Sequence, residues 1–224
     1  MIESPRLSDY PVDPEASSRY SRFDQLNPQW WERVAAAVAA GSVEVSCLKI
    51  DRGRGELEMP WFNRRLVLVP ARKNIFFRDD HSCRPTWQEG LVALALLDYL
   101  FDHHRLPPPA GLVSEQHLTG GTTFFRGPHV MAAVRIAEEF ADNGAGLLAR
   151  GREWGGVEAA CGEYAVKFTI FPGLEWIVAL WEADDEFPAR AVYLFDQNLE
   201  KIFQLDLIWA LGNVVAARLL PLAD

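Results

Sequence analysis

The segment at residues 117–129, HLTGGTTFFRGPH, combines glycines, hydroxyl groups, an arginine and two histidines in a way that suits the binding of an anion. Gly120 and Gly121 permit a positive φ and a close approach of the backbone, which can direct successive N–H groups toward one ligand. Gly127 and Pro128 predict the start of a helix, whose first N–H groups and dipole attract negative charge. The candidate ligand-binding residues of this loop are Thr119, Gly120, Gly121, Thr122, Arg126 and His129.

Arg126 stands immediately before that predicted helix start, and its guanidinium can bind a carboxylate or a phosphate through two hydrogen bonds. We expect Arg126 to be tied to a carboxylate, either of a ligand or of the acidic second half of the chain, with Asp184, Asp185 and Glu186 as the leading candidates. The alternative interpretation is a tight turn whose phenylalanines fill the core, because glycine-rich loops are common. His117 and His129 could ligate a metal, but no third ligand follows in motif spacing, which favours capping or hydrogen-bonding roles.

The acidic turn, WEADDEFP, follows an apolar predicted strand. Its Asp184, Asp185 and Glu186 are candidate ligands for a hard metal cation, and one of the acids could act as a general base. A solvated turn between two strands is the favoured alternative, because the EF-hand spacing of oxygen ligands is absent.

A third stretch, FDHHR at residues 101–105, resembles the Asp-His-His signature of metal-dependent phosphoesterases. Those signatures accompany aspartates at strand ends, whereas Asp102, His103 and His104 end an apolar predicted helix, where the dipole favours histidine. The sequence contains no G-x-S-x-G elbow, no P-loop and no dinucleotide-binding G-x-G-x-x-G. The glycines of DRGRGELE stand between predicted strands and indicate a hairpin turn.

Composition limits the partners that the chain is expected to have. The formal net charge is -9, and residues 113–224 contribute 8 basic and 16 acidic side chains to it. An acidic chain lacks the basic stripe that phosphate backbones require, so neither a nucleic acid nor an anionic membrane surface is an expected partner. The three cysteines are widely separated, no signal peptide is encoded, and no apolar run is long enough to span a membrane, which together predict a cytoplasmic protein.

The predicted elements that must position these residues alternate between helices and strands. Helices are predicted over PQWWERVAAAVAAG, PTWQEGLVALALLDYLFDHH, GPHVMAAVRIAEEFADNG and LIWALGNVVAARLL, the last with Asp206 as its N-cap. Strands are predicted in VEVSCLKI, LEMPWF, RLVLVP, NIFFRD, YAVKFTIF, WIVALWEA and ARAVYLFD. This order indicates an α+β fold with a mainly antiparallel sheet and about four flanking helices. Residues 1–26 are expected to form an N-terminal arm, and residues 27–224 a single domain.

Two stretches, LTGGTTFFRGPH and LWEADDEFPARAVYLFDQNLEKIFQLDLIWALGN, resemble the paired signatures of a prokaryotic family known only as a domain of unknown function. The resemblance covers about residues 28–220. It implies anaerobic metabolism near iron–sulfur or corrinoid chemistry, because members are often fused to a small iron–sulfur domain of the corrinoid-protein type. Three cysteines cannot build a four-cysteine cluster site, so any cluster would belong to a partner protein.

Three functions are compatible with these patterns. The leading expectation is a ligand-binding or accessory protein that holds a small anion, or the carboxylates of a tetrapyrrole, between the loop at 119–129 and the acidic turn. The second is an enzyme that uses the acidic turn for a cation or a general base. The third is a structural domain whose aromatic residues form a protein interface. The sequence names no cofactor.

Overall fold

The computed structural model describes residues 22–78, 80 and 83–220, which fold into two antiparallel sheets flanked by helices. The first sheet contains β1 (Lys49–Asp51), β2 (Glu56–Trp61), β3 (Arg64–Val69) and β4 (Asn74–Phe77), hydrogen-bonded in chain order. The second sheet has the order β5-β9-β8-β7-β6 and contains β5 (Leu112–Val113), β6 (Val157–Glu158), β7 (Tyr164–Phe171), β8 (Leu174–Trp181) and β9 (Arg190–Asp196).

Six α-helices lie in the described residues and flank these sheets. They are α1 (Pro28–Ala40), α2 (Trp87–His103), α3 (Gly121–Phe124), α4 (Ala133–Glu139), α5 (Gly144–Glu153) and α6 (Leu205–Leu219). The α+β class and the antiparallel strand pairing are therefore confirmed, although the strands form two sheets and the helices include two that are shorter than eight residues.

Capping residues account for the helix ends that the sequence predicted. Asn27 accepts a hydrogen bond from the N–H of Gln29 at the start of α1, and Gly41 ends that helix with a φ of 74°. At the start of α2, Thr86 and Glu89 form a reciprocal capping box. The caps at Asn27 and Thr86 satisfy N–H groups that a helix cannot satisfy itself, and the N–H of Gly41 donates to the carbonyls of Ala37 and Val38. Both helices therefore begin, and α1 ends, as predicted.

Three predicted elements differ from the structure. Of the segment VEVSCLKI only Lys49 and Ile50 lie in a strand, which continues to Asp51, and Val45 is buried although it lies in a loop. The helix predicted over residues 127–144 is instead a 3-10 turn at Gly127–His129 followed by the seven-residue α4, and Gly144 begins α5. Asp206 lies within the first turn of α6, whose N-cap is Gln204.

One hydrophobic core joins the two sheets. The inward face of the first sheet presents Leu57, Met59 and Trp61, and that of the second presents Phe168 and Trp176. Helices α2 and α6 pack against each other in the same core. The backbone N–H of Phe62 donates a hydrogen bond of 2.8 Å to the carbonyl of Ile170, which links the two sheets directly. The described residues therefore fold as one α+β domain.

A carboxylate ties the proline-rich segment after α2 to the second sheet. Asp196, at the end of β9, accepts hydrogen bonds from the backbone N–H groups of Ala110, Gly111 and Asn198 at 2.8–3.1 Å. This arrangement places β5 beside β9 and leads the chain from α2 into the glycine loop. The predicted N-terminal arm falls largely on residues 1–21, which lie outside the described part. None of the described helices has the length and apolar character needed to cross a membrane.

Candidate functional site

The glycine loop is a compact turn whose backbone is set by Gly120. A 3-10 turn at Glu115–His117 leads into it, Gly120 has a φ of 79°, and α3 begins at the next residue. The positive φ predicted for this glycine pair is confirmed at Gly120. A residue with a Cβ atom would adopt that conformation only at an energetic cost, which explains the glycine. The predicted helix start near Gly127 is wrong, so no helix N-terminus of useful length faces a ligand there.

Gly121 is required for a different reason. It is buried and helical, and a Cβ atom at this position would overlap the backbone carbonyl oxygen of Glu115. The two adjacent glycines therefore serve two purposes, one conformational and one steric. Both keep residues 115–121 folded tightly upon themselves.

Most backbone N–H groups of the loop have partners within the protein. The N–H of Thr119 donates a hydrogen bond of 3.0 Å to the carboxylate of Glu200, and the N–H groups of Gly121, Thr123, Phe124 and Phe125 donate to carbonyls of the loop itself. The loop thus already holds one carboxylate, which belongs to the protein. A further anion would have to be bound mainly by side chains.

Arg126 is the side chain best placed to bind such an anion. It is exposed, and no hydrogen bond or ion pair joins its guanidinium to another residue within 22–78, 80 and 83–220. Its backbone is fixed, because its N–H donates to Phe124 and its carbonyl accepts from His129 at 2.8 and 3.1 Å. The hydroxyl-bearing Thr119 and Thr122 are also exposed on this loop.

Three half-buried aromatic side chains form an aromatic cluster, and two of them, Phe124 and His129, flank Arg126 in the loop sequence. The imidazole of His129 stacks on Phe124 with ring centroids 4.5 Å apart, and it meets the indole of Trp209 edge-on at 5.6 Å. The indole N–H of Trp209 donates to the carbonyl of Val130, which ties helix α6 to the loop. Flat aromatic surfaces of this kind accept a stacked ring, and all three side chains are partly exposed.

Glu115 adds a titratable group to the same region. Burial raises the pKa of this carboxyl above its ordinary value, while a hydrogen bond to its own backbone N–H and the charge of His117 act in the opposite direction. His117 itself lies within 3.0 Å of the Ser114 hydroxyl. A half-buried carboxyl with a raised pKa beside this loop is a candidate member of a functional site, so Glu115 is added to the residues of the candidate site.

Sequence reasoning missed Glu115, Glu200 and Trp209 as members of this site. Glu200 and Trp209 reach the loop from segments that follow it by about 80 residues. Neither belongs to a recognisable motif. Glu200 reaches the loop from the 3-10 turn at Gln197–Lys201, and Trp209 reaches it from α6.

The acidic turn lies against another part of the chain. Glu182 accepts a hydrogen bond of 2.6 Å from the N–H of Gly144 at the start of α5, and the N–H of Ala183 donates to Ala141. Asp184 closes the turn by accepting hydrogen bonds from the N–H groups of Glu186 and Phe187 at 2.8 and 2.7 Å. Within the described residues, no hydrogen bond or ion pair joins this turn to Arg126 or to the rest of the glycine loop.

The other candidate metal ligands also have protein partners. Asp102 pairs with Arg33 at 2.6 Å, His103 stacks on Tyr99, and His104 ends α2 with a φ of 60°. His117 and His129 have the partners described above. Across the part of the chain that the structure describes, no three His, Cys, Asp or Glu side chains are grouped so that they could hold a metal ion.

The first sheet has an open groove of about 640 Å³ on the face turned away from the core. Its charged lining is largely paired internally, since Arg78 binds Glu56 and Glu58 at 2.6 and 3.2 Å and Arg54 lies beside Asp51. The walls of this open groove are therefore formed largely by side chains that are already ion-paired with one another. Arg126 does not line it.

Comparison with known proteins identifies a family. The family described as a domain of unknown function (DUF3786) matches residues 41–218, and the chain belongs to this family. Searches of curated proteins and of solved structures each gave no match. The resemblance noted from the two sequence signatures is therefore confirmed as far as membership of a domain of unknown function.

Proposed function

We propose that this chain is a ligand-binding or accessory protein that holds a small anion at Arg126, beside the aromatic cluster of Phe124, His129 and Trp209. The observation that carries the proposal is the exposed guanidinium of Arg126, which has no partner in the described part of the chain although its backbone is hydrogen-bonded on both sides. An arginine held in this way retains five N–H donors for a ligand.

The surroundings of Arg126 favour a carboxylate attached to a flat ring. A guanidinium binds a carboxylate through two parallel hydrogen bonds, and the aromatic cluster offers a surface on which a ring can stack. The loop also presents the hydroxyl groups of Thr119 and Thr122, which can donate to the same anion. The carboxylate rim of a tetrapyrrole has this chemistry, and so does a smaller aromatic acid.

The proposal includes an iron–sulfur or corrinoid protein as a partner, which would supply the metal chemistry. The chain's own Cys47, Cys83 and Cys161 are free thiols, and none of them belongs to a metal-binding group in the described part. The protein would then act by presenting or receiving a ligand, and the partner would supply the metal.

Binding can be tested by ligand-induced thermal stabilisation. The probes are inorganic phosphate, which tests charge alone, and a metal-free porphyrin with propionate side chains, which tests charge and ring together. We expect both to raise the melting temperature of the wild-type protein, the porphyrin at the lower concentration, because a ligand that binds only the folded state stabilises it.

Arg126→Leu is the decisive variant, and Arg72→Leu is its matched control. Both arginines are exposed and neither makes a side-chain hydrogen bond or ion pair within the described residues. We expect Arg126→Leu to leave the melting temperature of the empty protein unchanged and to abolish stabilisation by either probe, whereas Arg72→Leu keeps both responses. Equal stabilisation of Arg126→Leu and wild type, or no response of the wild type to any probe, would contradict the proposal.

A further inference from the structure

The open groove on the first sheet gathers positive charge on a chain that is acidic overall. Lysine and arginine contribute four side chains to its lining, and aspartate and glutamate contribute three. Four minus three gives the lining a formal charge of +1, whereas the whole chain carries -9. The groove is therefore a second place that suits an anion, and it is separate from the glycine loop.

Two of the four cations have no carboxylate partner in the described part of the chain. Lys49 on β1 is exposed, and its ammonium group forms no hydrogen bond or ion pair within those residues. Arg52, which follows β1, is also exposed and donates one hydrogen bond of 2.8 Å to the backbone carbonyl of Ala39. The charges of Lys49 and Arg52 account for the positive excess of the groove.

The end of helix α1 sets the position of Arg52. Gly41 ends this helix, and a Cβ atom at that position would overlap the Cδ and Nε atoms of Arg52. The glycine therefore lets the arginine stem lie across the last turn, where Nη2 reaches the carbonyl of Ala39. Arg52 is thus held in place by the backbone of α1, and a ligand anion can still bind its guanidinium.

The same groove contains two carboxylates with fixed positions. Glu56 and Glu58 lie two residues apart on β2, which is about 7 Å along a strand. Both bind the guanidinium of Arg78, at 2.6 and 3.2 Å, and their side chains remain 13% and 18% exposed. A carboxylate has about four acceptor positions, so each retains capacity for a further donor. Arg78 thus orients two hydrogen-bond acceptors in the groove.

Cations beside fixed acceptors favour a ligand that combines an anionic group with hydroxyl groups. Lys49 and Glu58 are direct cross-strand partners, and the Cβ atoms of such partners lie about 5 Å apart. An anionic group and a hydroxyl group of one small molecule can therefore reach both side chains. Among the described residues that line the groove, Ile50 has the only apolar side chain, so an aromatic ring would bury little apolar surface there.

We propose that this groove binds a phosphorylated sugar, with the phosphate at Lys49 and Arg52 and the sugar hydroxyl groups at Glu56 and Glu58. A phosphate monoester carries about two negative charges at neutral pH, which matches the two cations without a carboxylate partner. The groove volume of about 640 Å³ lies within the range of about 300–1,000 Å³ that is typical of small-molecule sites. This site and its ligand are distinct from the anion site at Arg126.

Isothermal titration calorimetry of the Arg126→Leu variant tests the groove alone, because that substitution removes the loop site. The probes are glucose 6-phosphate, ribose 5-phosphate, glucose and inorganic phosphate. We expect at least one of the two sugar phosphates to bind with a dissociation constant below about 1 mM. Glucose and inorganic phosphate should give no measurable binding, because each makes only part of the contacts.

Two substitutions added to Arg126→Leu assign the two ends of the ligand. Lys49→Leu and Glu58→Gln should each weaken binding of the sugar phosphate at least tenfold. Arg105→Leu is the matched control, because it removes an exposed arginine that does not line the groove, and it should leave the affinity unchanged. Lys49 is exposed, so its replacement keeps the fold and decides the question if Glu58→Gln fails to fold.

Three results would overturn the proposal. The first is the absence of binding by both sugar phosphates at millimolar concentration. The second is inorganic phosphate that binds as tightly as the sugar phosphates, which would indicate an adventitious anion only. The third is an unchanged affinity for the sugar phosphate in the Lys49→Leu variant.

Discussion

Replacing Arg218 with leucine is expected to lower the free energy of unfolding by about 4 kcal/mol, because it would leave a buried carboxylate without its cation. Glu89 is fully buried and Arg218 is only 6% exposed. The guanidinium binds the carboxylate through its Nε atom at 3.0 Å and through Nη2. This pair joins helix α2 to helix α6 in the centre of the core.

The remaining partners of Glu89 explain why the loss should be large. Its carboxylate also accepts hydrogen bonds from the indole N–H of Trp61 at 3.0 Å and from the backbone N–H of Thr86 at 2.7 Å. These donors are neutral, so they satisfy oxygen lone pairs without compensating the charge. The guanidinium also lies 4.3 Å from the ring of Trp154, and leucine would lose that contact as well.

A double-mutant cycle measured by urea unfolding separates the ion pair from the packing. Glu89→Gln alone is expected to cost about 3 kcal/mol, because it leaves the guanidinium buried beside a neutral group. Combined with Arg218→Leu, it should cost at least about 2 kcal/mol less than the sum of the two single changes. Additivity within about 0.5 kcal/mol would refute this reasoning, as would a cost below about 1 kcal/mol for Arg218→Leu.

Two further substitutions test local features of the fold. Burial raises the pKa of Asp196, but hydrogen bonds from three backbone N–H groups and the charge of Lys201 lower it more, so its net shift is downward. The stability from this carboxylate is therefore present above about pH 4 and is lost as the pH falls through the folded-state pKa. Asp196→Asn should cost about 1.5 kcal/mol at pH 7, and urea unfolding at lower pH should show that difference shrinking; a constant difference would contradict the assignment. Gly120→Ala should cost about 1 kcal/mol because of its positive φ, whereas Gly121→Ala should cost clearly more because its methyl group would overlap a backbone carbonyl. Equal melting temperatures for these two variants would be inconsistent with the steric role of Gly121.

Elements whose signals are local could be predicted from the sequence. Strand β7 spans the predicted YAVKFTIF, since its apolar residues are flanked by glycine turns, and α2 begins at its predicted cap. In contrast, the sequence did not predict helix α5, because Gly144, Gly146 and Gly151 have a low intrinsic helix propensity. The structure shows that Gly144 and Gly151 are small because α5 packs directly on Tyr164 and Val166 of β7, a requirement that depends on tertiary contact.

The interruption of the helix predicted over residues 127–144 has a similar origin. The carbonyl of Val130 accepts the indole N–H of Trp209, so it serves tertiary packing and does not continue a helical ladder. The sequence indicated the glycine loop through its paired glycines. It could not indicate that Glu200 binds the loop backbone or that Arg126 remains without a partner in the described residues, because both depend on contacts between segments far apart in the sequence.

Helix α6 connects the glycine loop to the core. Comparing Arg126→Leu with Arg218→Leu therefore tests whether ligand binding at the loop depends on the ion pair in the core. Leu205 approaches Gly120 and Trp209 binds Val130 at one end of the helix, while Arg218 binds Glu89 at the other. Trp209 and Arg218 are nine residues apart, which is about 13 Å along a helix. Because sites at this distance act almost independently, Arg218→Leu should lower the melting temperature of the empty protein but keep the stabilisation by the porphyrin probe.

Arg126→Leu should give the opposite result, with an unchanged empty protein and no stabilisation by the probe. Thermal unfolding of both variants, with and without porphyrin, therefore separates a residue that holds the fold from one that holds a ligand. If Arg218→Leu also abolished the probe response at temperatures where it remains folded, the loop would depend on the core pair through α6. The proposed site would then extend along the helix and would not be confined to the loop.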